Sequence, residues 1–125
     1  MKIDITFTES LIEVPKLELP TKEIGSVVEF QGLVREMEGE SLLDGLFYEA
    51  YEEMARSVLE AHLRELGGIH GCTGVEFIHR LGWVPVGDTS LYIRVLSSHR
   101  AEGLRFLADS IDRLKQDVPI WKRVS

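Results

Sequence analysis

Two segments with helical hydrophobic periodicity, separated by strand-like segments, constrain the fold of this chain most strongly. In the first, apolar residues recur at helical spacing from Tyr51 to Leu66, and Gly67-Gly68 is expected to end the helix. The second helix is expected to begin after Ser97-Ser98, where serine can cap the free amides. Its apolar stripe consists of Leu104, Leu107, Ala108, Ile111 and Leu114. Because both helices are amphipathic, each must bury one face against another layer.

Strand-like segments occupy much of the remaining chain. Alternating or apolar runs predict strands at residues 1–7, 26–34, 46–51, 75–81 and 91–96. Gly32 within the second run indicates a bulge or the close approach of another group, and Gly87-Asp88 indicates a turn. Residues 10–22 and 35–41 are expected to form loops. The order β-β-β-α-β-β-α predicts an α+β fold, with a mixed, largely antiparallel sheet and two main helices packed on it.

Composition limits the class of protein. The 125 residues fit one domain, residues 1–125, and a net charge of −7 argues against a nucleic-acid partner, which requires a broad basic face. No apolar run approaches the roughly 20 residues of a membrane helix, and the start does not resemble a signal peptide, so no membrane partner is expected. Cys72 is the only cysteine, which excludes an intrachain disulfide and favours a cytoplasmic location. Its setting predicts an inert loop thiol.

Cationic residues of this acidic chain are concentrated at the ends of predicted elements. Arg35 follows a strand, and His99-Arg100 opens the second helix. Lys122 and Arg123 lie beyond a Pro-Ile-Trp segment, which is expected to act as a hinge. Guanidinium groups bind phosphate or carboxylate through two parallel hydrogen bonds, and a helix N-terminus adds a partial positive charge. Together these residues predict a site for a small anionic ligand or for the carboxylate of a partner.

Lys115 stands out within the second helix. It lies eleven residues after Leu104, close to a whole number of helical turns, so it is expected on the apolar stripe, facing the protein body. A lysine in such a position is a candidate acid, base or nucleophile. The alternative is a surface role, because lysine is common in the last turn of a helix.

The remaining candidates have mainly structural interpretations. His62 is expected at the surface or partly buried, His70 in a glycine-rich loop, and His79 in a structural role on the face of Val75 and Phe77. The histidine spacings do not match metal-ligand patterns, so neither a metal nor a cofactor is predicted. Phe106 falls opposite the predicted stripe, and an exposed aromatic there suggests dimerisation through the sheet and the final helix.

Several segments, taken in order, resemble one known family. They are residues 30–35, 46–55, 79–82, 86–88, 97–100, 112–115 and 118–123. Over about Gly25 to Arg123 the chain resembles the large, catalytic subunit of molybdopterin synthase. The resemblance implies an α+β fold of the α/β hammerhead type. Each segment alone is short, but their common order makes the match specific.

The resemblance also implies an activity and partners. Members of this family transfer sulfur from the C-terminal Gly-Gly thiocarboxylate of a small ubiquitin-like subunit to cyclic pyranopterin monophosphate, which forms the dithiolene of molybdopterin. They are homodimers within a heterotetramer. The alternative that remains open is a non-catalytic relative that binds the ubiquitin-like partner or the pterin without turnover.

Site residues follow from the resemblance position by position. Lys115 and Lys122 match the family's catalytic lysines and are also expected to bind substrate. Arg35 and the pair His99-Arg100 match residues that contact the pterin and its phosphate, and Arg123 is expected to bind substrate beside them. Val124 occupies a position where the family usually has glutamate.

Overall fold

Two helices pack on one face of a four-stranded sheet in this computed structural model, which describes residues 1–124. The last residue of the predicted domain, Ser125, lies outside the described residues. The strands are β1 (Lys2–Thr8), β2 (Ser26–Leu33), β3 (Met37–Glu38), β4 (Ser41–Leu42), β5 (Gly45–Ala50), β6 (Gly74–Arg80), β7 (Gly82–Pro85), β8 (Thr89–Ser97) and β9 (Ile120–Arg123). The helices are α1 (Glu52–His70) and α2 (Arg100–Asp117). The predicted α+β class is confirmed.

The main sheet has the strand order β1-β6-β8-β2, in which β1 is parallel to β6 and the other neighbours are antiparallel. This confirms the prediction of a mixed, largely antiparallel sheet. The register of β2 against β8 shifts between Gly32 and Leu33, as the glycine within the strand predicted. Side chains that are fully buried between the sheet and the helices form the core; they include Leu59, Leu63, Phe77, Ile93 and Phe106.

A second, three-stranded antiparallel sheet has the order β7-β5-β9, and sequence patterns missed two of its strands, β7 and β9. The predicted Pro-Ile-Trp hinge leads directly into β9, which pairs with β5 so that Lys122 lies opposite Tyr48. The predicted loop 35–41 contains a short hairpin, β3–β4, which turns at Gly39 with a φ of 61°. Strands β3, β4, β7 and β9 have only two to four residues each, which is too short for hydrophobic alternation to reveal them.

Helix α1 does not end at Gly67-Gly68, as the sequence predicted, but continues to His70. Gly71, with a φ of 75°, caps it by donating its N–H to the carbonyl oxygen of Gly67 at 2.8 Å. Gly67 has a packing role, because a Cβ there would lie 2.5 Å from Cε of Met1. His70 therefore belongs to the helix and not to a loop, and its Nε2 lies 2.7 Å from Oδ2 of Asp109 on α2.

Alanine substitutions at Gly68 and Gly71 should change stability in opposite directions. Gly68 is exposed within the helix and has open space around its Cβ position, so Gly68→Ala should stabilise the fold by roughly 0.5–1 kcal/mol. Gly71→Ala should destabilise it by about 1 kcal/mol or more, because an L-residue is strained at the positive φ. Urea unfolding of both variants checks this. Equal shifts in the same direction would contradict the position of the helix end.

The buried face of α2 shares Leu107 and Leu114 with the predicted apolar stripe but is rotated away from Leu104. Its buried residues are Gly103, Phe106, Leu107, Ser110 and Leu114, whereas Leu104 is 52% exposed. Small residues allow the helix to approach the sheet closely: a Cβ on Gly103 would lie 3.2 Å from Cγ2 of Val28. Hydrophobicity alone does not mark glycine and serine as inward-facing, which explains the error. Phe106 is fully buried, so the predicted dimer contact through an exposed Phe106 is wrong.

The start of α2 also differs from the prediction. His99 is the N-cap residue, and no side chain caps the helix amides. The hydroxyl of Ser97 instead donates to the carbonyl oxygen of His99 at 2.7 Å. Ser97 therefore holds the backbone just before α2 in place but does not cap the helix. Among the described residues, no helix is long and apolar enough to cross a membrane.

Candidate functional site

A cavity of about 420 Å³ opens where the C-terminal end of α2, strand β9 and one end of the main sheet meet. We call it the lysine cavity, because Lys115 and Lys122 both line it. Its apolar and aromatic walls include Phe30, Tyr48, Leu91, Ile111 and Trp121. Apolar walls with a few polar groups are typical of small-molecule sites.

Lys115 reaches this cavity from the last turn of α2, between Leu114 and the chain that leads into β9. The prediction that it faces the protein body is wrong, because its side chain is exposed. The error arose because Leu104, the reference for the helical period, is itself exposed. Lys115 lies beside the buried face rather than on it, and this position places it at the cavity wall.

Lys122 is held at the cavity by the pairing of β9 with β5. Its Nζ lies 3.1 Å from Oε1 of Glu38 on the β3–β4 hairpin, and both side chains are about half exposed. Sequence reasoning missed Glu38, because only the hairpin brings it beside Lys122. The structure thus supplies a carboxylate from β3, while Val124 is an exposed apolar residue. Exposed ion pairs contribute little stability, so an incoming anion can exchange with Glu38 at low energetic cost.

Arg123 differs from Lys122, the residue before it on β9, because its side chain makes its contacts with β5. Its Nε donates to Oε1 of Glu49 at 2.6 Å, and its guanidinium lies 4.7 Å from the centre of the Phe47 ring. Within this chain it packs on β5 and does not line the cavity.

The other predicted anion-binding residues, Arg35, His99 and Arg100, are not among the residues that line the lysine cavity. Arg35 is exposed in the segment after β2, next to the cavity-lining stretch that ends at Leu33. His99 and Arg100 are exposed at the start of α2, and His99 Nδ1 lies 3.1 Å from Oε1 of Glu102. At 1.5 Å per residue, Arg100 is about 22 Å from Lys115 along the helix axis.

His79 is a cavity residue that sequence reasoning assigned only a structural role. It is 4% exposed, lines the lysine cavity and meets the Tyr48 ring edge-on, with 5.1 Å between ring centres. Its Nδ1 lies 2.8 Å from the carbonyl oxygen of Arg80. Burial lowers the pKa of His79, and the backbone hydrogen bond opposes that shift only partly. No sequence signal separates this histidine from a core residue, because β6 reaches the cavity only through the tertiary fold.

The remaining titratable candidates lie elsewhere. His62 is partly buried, as predicted, with Nε2 2.7 Å from Oδ1 of Asp117. Cys72 is a buried loop residue, and burial together with the nearby Glu102 carboxylate raises the pKa of its thiol to about 11. Within residues 1–124, no group of three or more histidine, cysteine or acidic residues could hold a metal ion.

A second cavity, of about 360 Å³, lies on the sheet face opposite the helices, but its charges are balanced. Three cations, Lys2, Lys16 and Arg94, line it together with three carboxylates, Asp4, Glu18 and Glu76. Arg94 already donates to Oε1 of Glu76 at 2.9 Å and to the carbonyl oxygen of Pro15 at 2.7 Å. The lysine cavity is therefore the better candidate for an anionic ligand.

The fold and the lysine cavity together define a small α+β protein whose candidate site combines two lysines, apolar walls and a buried histidine. Comparison with known proteins is more specific. A family model described as MoaE protein matches residues 2–117. The chain belongs to this family.

Relatives in the family carry one recurring name. "Molybdopterin synthase catalytic subunit" from Arabidopsis thaliana is 42% identical over 102 residues, which are 81% of this chain and 51% of that protein. The protein of the same name from Oryza sativa subsp. indica is 39% identical over 100 residues, which are 79% of this chain and 51% of that protein. The chain thus spans about half the length of these curated relatives.

Solved structures agree with the fold. Molybdopterin synthase from Staphylococcus aureus superposes with a TM-score of 0.77 at 35% identity, over 82% of this chain and 74% of that chain. The MoaE protein from Burkholderia ambifaria gives a TM-score of 0.84 at 25% identity, over 98% and 82% of the two chains. A complex of subunits 1 and 2 of the molybdopterin-converting factor from Helicobacter pylori gives 0.68 at 26% identity, over 81% and 66%.

Proposed function

We propose that this chain is the catalytic subunit of a molybdopterin synthase. In this role it transfers sulfur from the C-terminal thiocarboxylate of a small ubiquitin-like partner to cyclic pyranopterin monophosphate, forming the molybdopterin dithiolene. The observation that carries the proposal is that Lys115 and Lys122 line one apolar-walled cavity. The sequence resemblance matches these two residues to the family's catalytic lysines. The names of the relatives and the complex of two subunits among the structural neighbours support it.

The cavity suits both reactants. The pterin carries a phosphate and the partner's tail ends in an anionic group, so two ammonium groups can attract both and stabilise charge that develops during transfer. The apolar walls lower the local dielectric constant and so strengthen these interactions. Glu38 holds Lys122 in place until the partner's terminal group replaces it. The proposal assigns the delivery of sulfur to the partner and not to a cofactor of this chain.

We also propose a homodimer within a heterotetramer, in which His99 and Arg100 serve the lysine cavity of the neighbouring protomer. The separation of about 22 Å along α2 supports this, because these residues can help Lys115 only from another copy. Mixing an inactive Lys115→Ala protein with an inactive Arg100→Ala protein should restore activity, since some mixed dimers contain one complete site. A mixture as inactive as its components would contradict a shared site.

The alternative is a non-catalytic relative that binds the partner or the pterin without turnover. The usual glutamate is absent at Val124, and this observation favours the alternative. Glu38 weakens the argument, since it places a carboxylate beside Lys122 from another element.

Reconstitution tests the proposal. The chain is mixed with a small subunit that carries a C-terminal thiocarboxylate and with cyclic pyranopterin monophosphate, and the dithiolene product is measured. Product above a control with an unmodified carboxylate tail supports the synthase. Binding of both reactants without product would establish the alternative.

We further propose that residues 1–125 act as one domain in the cytoplasm, where a lone reduced cysteine is expected.

Replacing the only cysteine should leave product formation nearly unchanged. A thiol whose pKa is raised to about 11 is almost entirely protonated at neutral pH, and Cys72 is also buried, so it is a poor sulfur nucleophile. Cys72→Ala is measured in the reconstituted reaction, with Cys72→Ser as the matched polar replacement. A loss of turnover in both variants without a loss of stability would mean that sulfur passes through this chain.

A further inference from the structure

We propose that His79 is a ligand-binding residue of the lysine cavity, which accepts a hydrogen bond at Nε2 from an N–H or O–H group on the body of the ligand. This inference rests on the proposed function, because it assigns to the same cavity a contact with the pterin.

The tautomer of His79 follows from its backbone contact. A carbonyl oxygen can only accept, so Nδ1, at 2.8 Å from the carbonyl oxygen of Arg80, must carry the proton. Burial lowers the pKa of this histidine, and the ring is therefore neutral at neutral pH. Nε2 of a neutral ring with a protonated Nδ1 is an acceptor.

The acceptor faces the cavity. Nε2 makes no hydrogen bond within residues 1–124. It is also not sealed from solvent, because the sealed side-chain atoms without a partner in this part of the chain are Nε of Arg80 and Nε of Arg94. His79 as a whole is only 4% exposed and lines the lysine cavity. The cavity is thus where Nε2 is accessible. An acceptor that is open to the cavity can bond to water when the cavity is empty and to a donor of the ligand when it is filled.

Nε2 of His79 differs from the other polar side-chain groups of the cavity because it only accepts, whereas the hydroxyl of Tyr48, which also lines the cavity, can donate as well as accept. Lys115 and Lys122 only donate, as does the indole N–H of Trp121. The hydroxyl of Ser90 already donates to the carbonyl oxygen of Gly32 at 3.2 Å. The cavity therefore suits a ligand with an anionic group near the lysines and a hydrogen-bond donor on its ring system near His79. A pterin phosphate has both features.

Equilibrium binding of cyclic pyranopterin monophosphate to the full chain, without the small partner, tests the inference. His79→Phe keeps an aromatic ring and removes the acceptor, and it should weaken binding about 10- to 100-fold, as expected when a ligand donor is left unsatisfied. His79→Gln, whose amide oxygen can accept, should recover part of the affinity. Inorganic phosphate, which has no ring system, should bind all three proteins equally. Thermal melting verifies that each variant is folded.

A second readout uses the unmodified chain and does not depend on the folding of a variant. In a ¹⁵N NMR spectrum, the His79 ring should show a protonated Nδ1 and an unprotonated Nε2, and the Nε2 resonance should shift when the pterin is added. Pterin binding that is equal in the wild type and His79→Phe, or an unshifted Nε2 resonance, overturns the role of His79 and leaves the proposed function intact. Failure of the wild type to bind the pterin overturns both.

Discussion

Lys115→Ala should reduce turnover in the reconstituted reaction by at least about 100-fold. Lys115 lines the cavity at the end of α2, and the removal of one positioned electrostatic or acid–base group commonly has an effect of this size. The side chain is exposed and has no ion pair among the described residues, so the fold should be unaffected. Single-turnover rates with thiocarboxylated partner, together with thermal melting, measure both effects.

Two further substitutions define what Lys115 contributes. Lys115→Arg keeps the charge but not the compact ammonium group, so it should recover substantial activity only if the role is electrostatic. Lys22→Ala, at an exposed position in the loop between β1 and β2, is the matched control and should retain normal rates. If Lys115→Ala keeps near-normal rates while Arg35→Ala is inactive, Lys115 is only an anion contact and is not the catalytic group.

Phe106→Ala should destabilise the protein by about 3–5 kcal/mol, because it removes a fully buried aromatic ring between α2 and the sheet. Domains of this size are stable by only about 5–15 kcal/mol, so a large part of the total would be lost. Urea unfolding measures the change. If the alanine variant does not fold, Phe106→Leu should still show a smaller decrease.

Leu104→Ala is the matched control on the same helix. Leu104 is about half exposed, so its truncation should change the free energy of unfolding by less than about 1 kcal/mol. The sequence pattern alone predicts the reverse order, with Leu104 in the core and Phe106 at the surface. Equal effects at the two positions would contradict the orientation of α2 described here.

The sequence predicted the fold class and most elements of the main sheet, because those elements are long enough for their hydrophobic periods to be read. Strands β2, β6 and β8, the bulge at Gly32 and the turn at Gly87 all follow from local residue chemistry. The resemblance, spread over many short segments, identified the family and the lysines Lys115 and Lys122. The match to the MoaE family confirms the family, whereas the roles of the two lysines stay predictions.

Tertiary structure decided what local patterns could not. The small residues Gly103 and Ser110 allow one face of α2 to pack closely against the sheet. This orientation of the helix buries Phe106 and leaves Lys115 exposed. Strand β9 exists because β5 offers it a free edge, and that pairing, not the local sequence, sets Lys122 beside Glu38. His79 became a cavity residue because β6 ends where α2 and β9 leave space. Periodicity reports which residues prefer to be buried, but only the packing of distant segments determines which side chains meet.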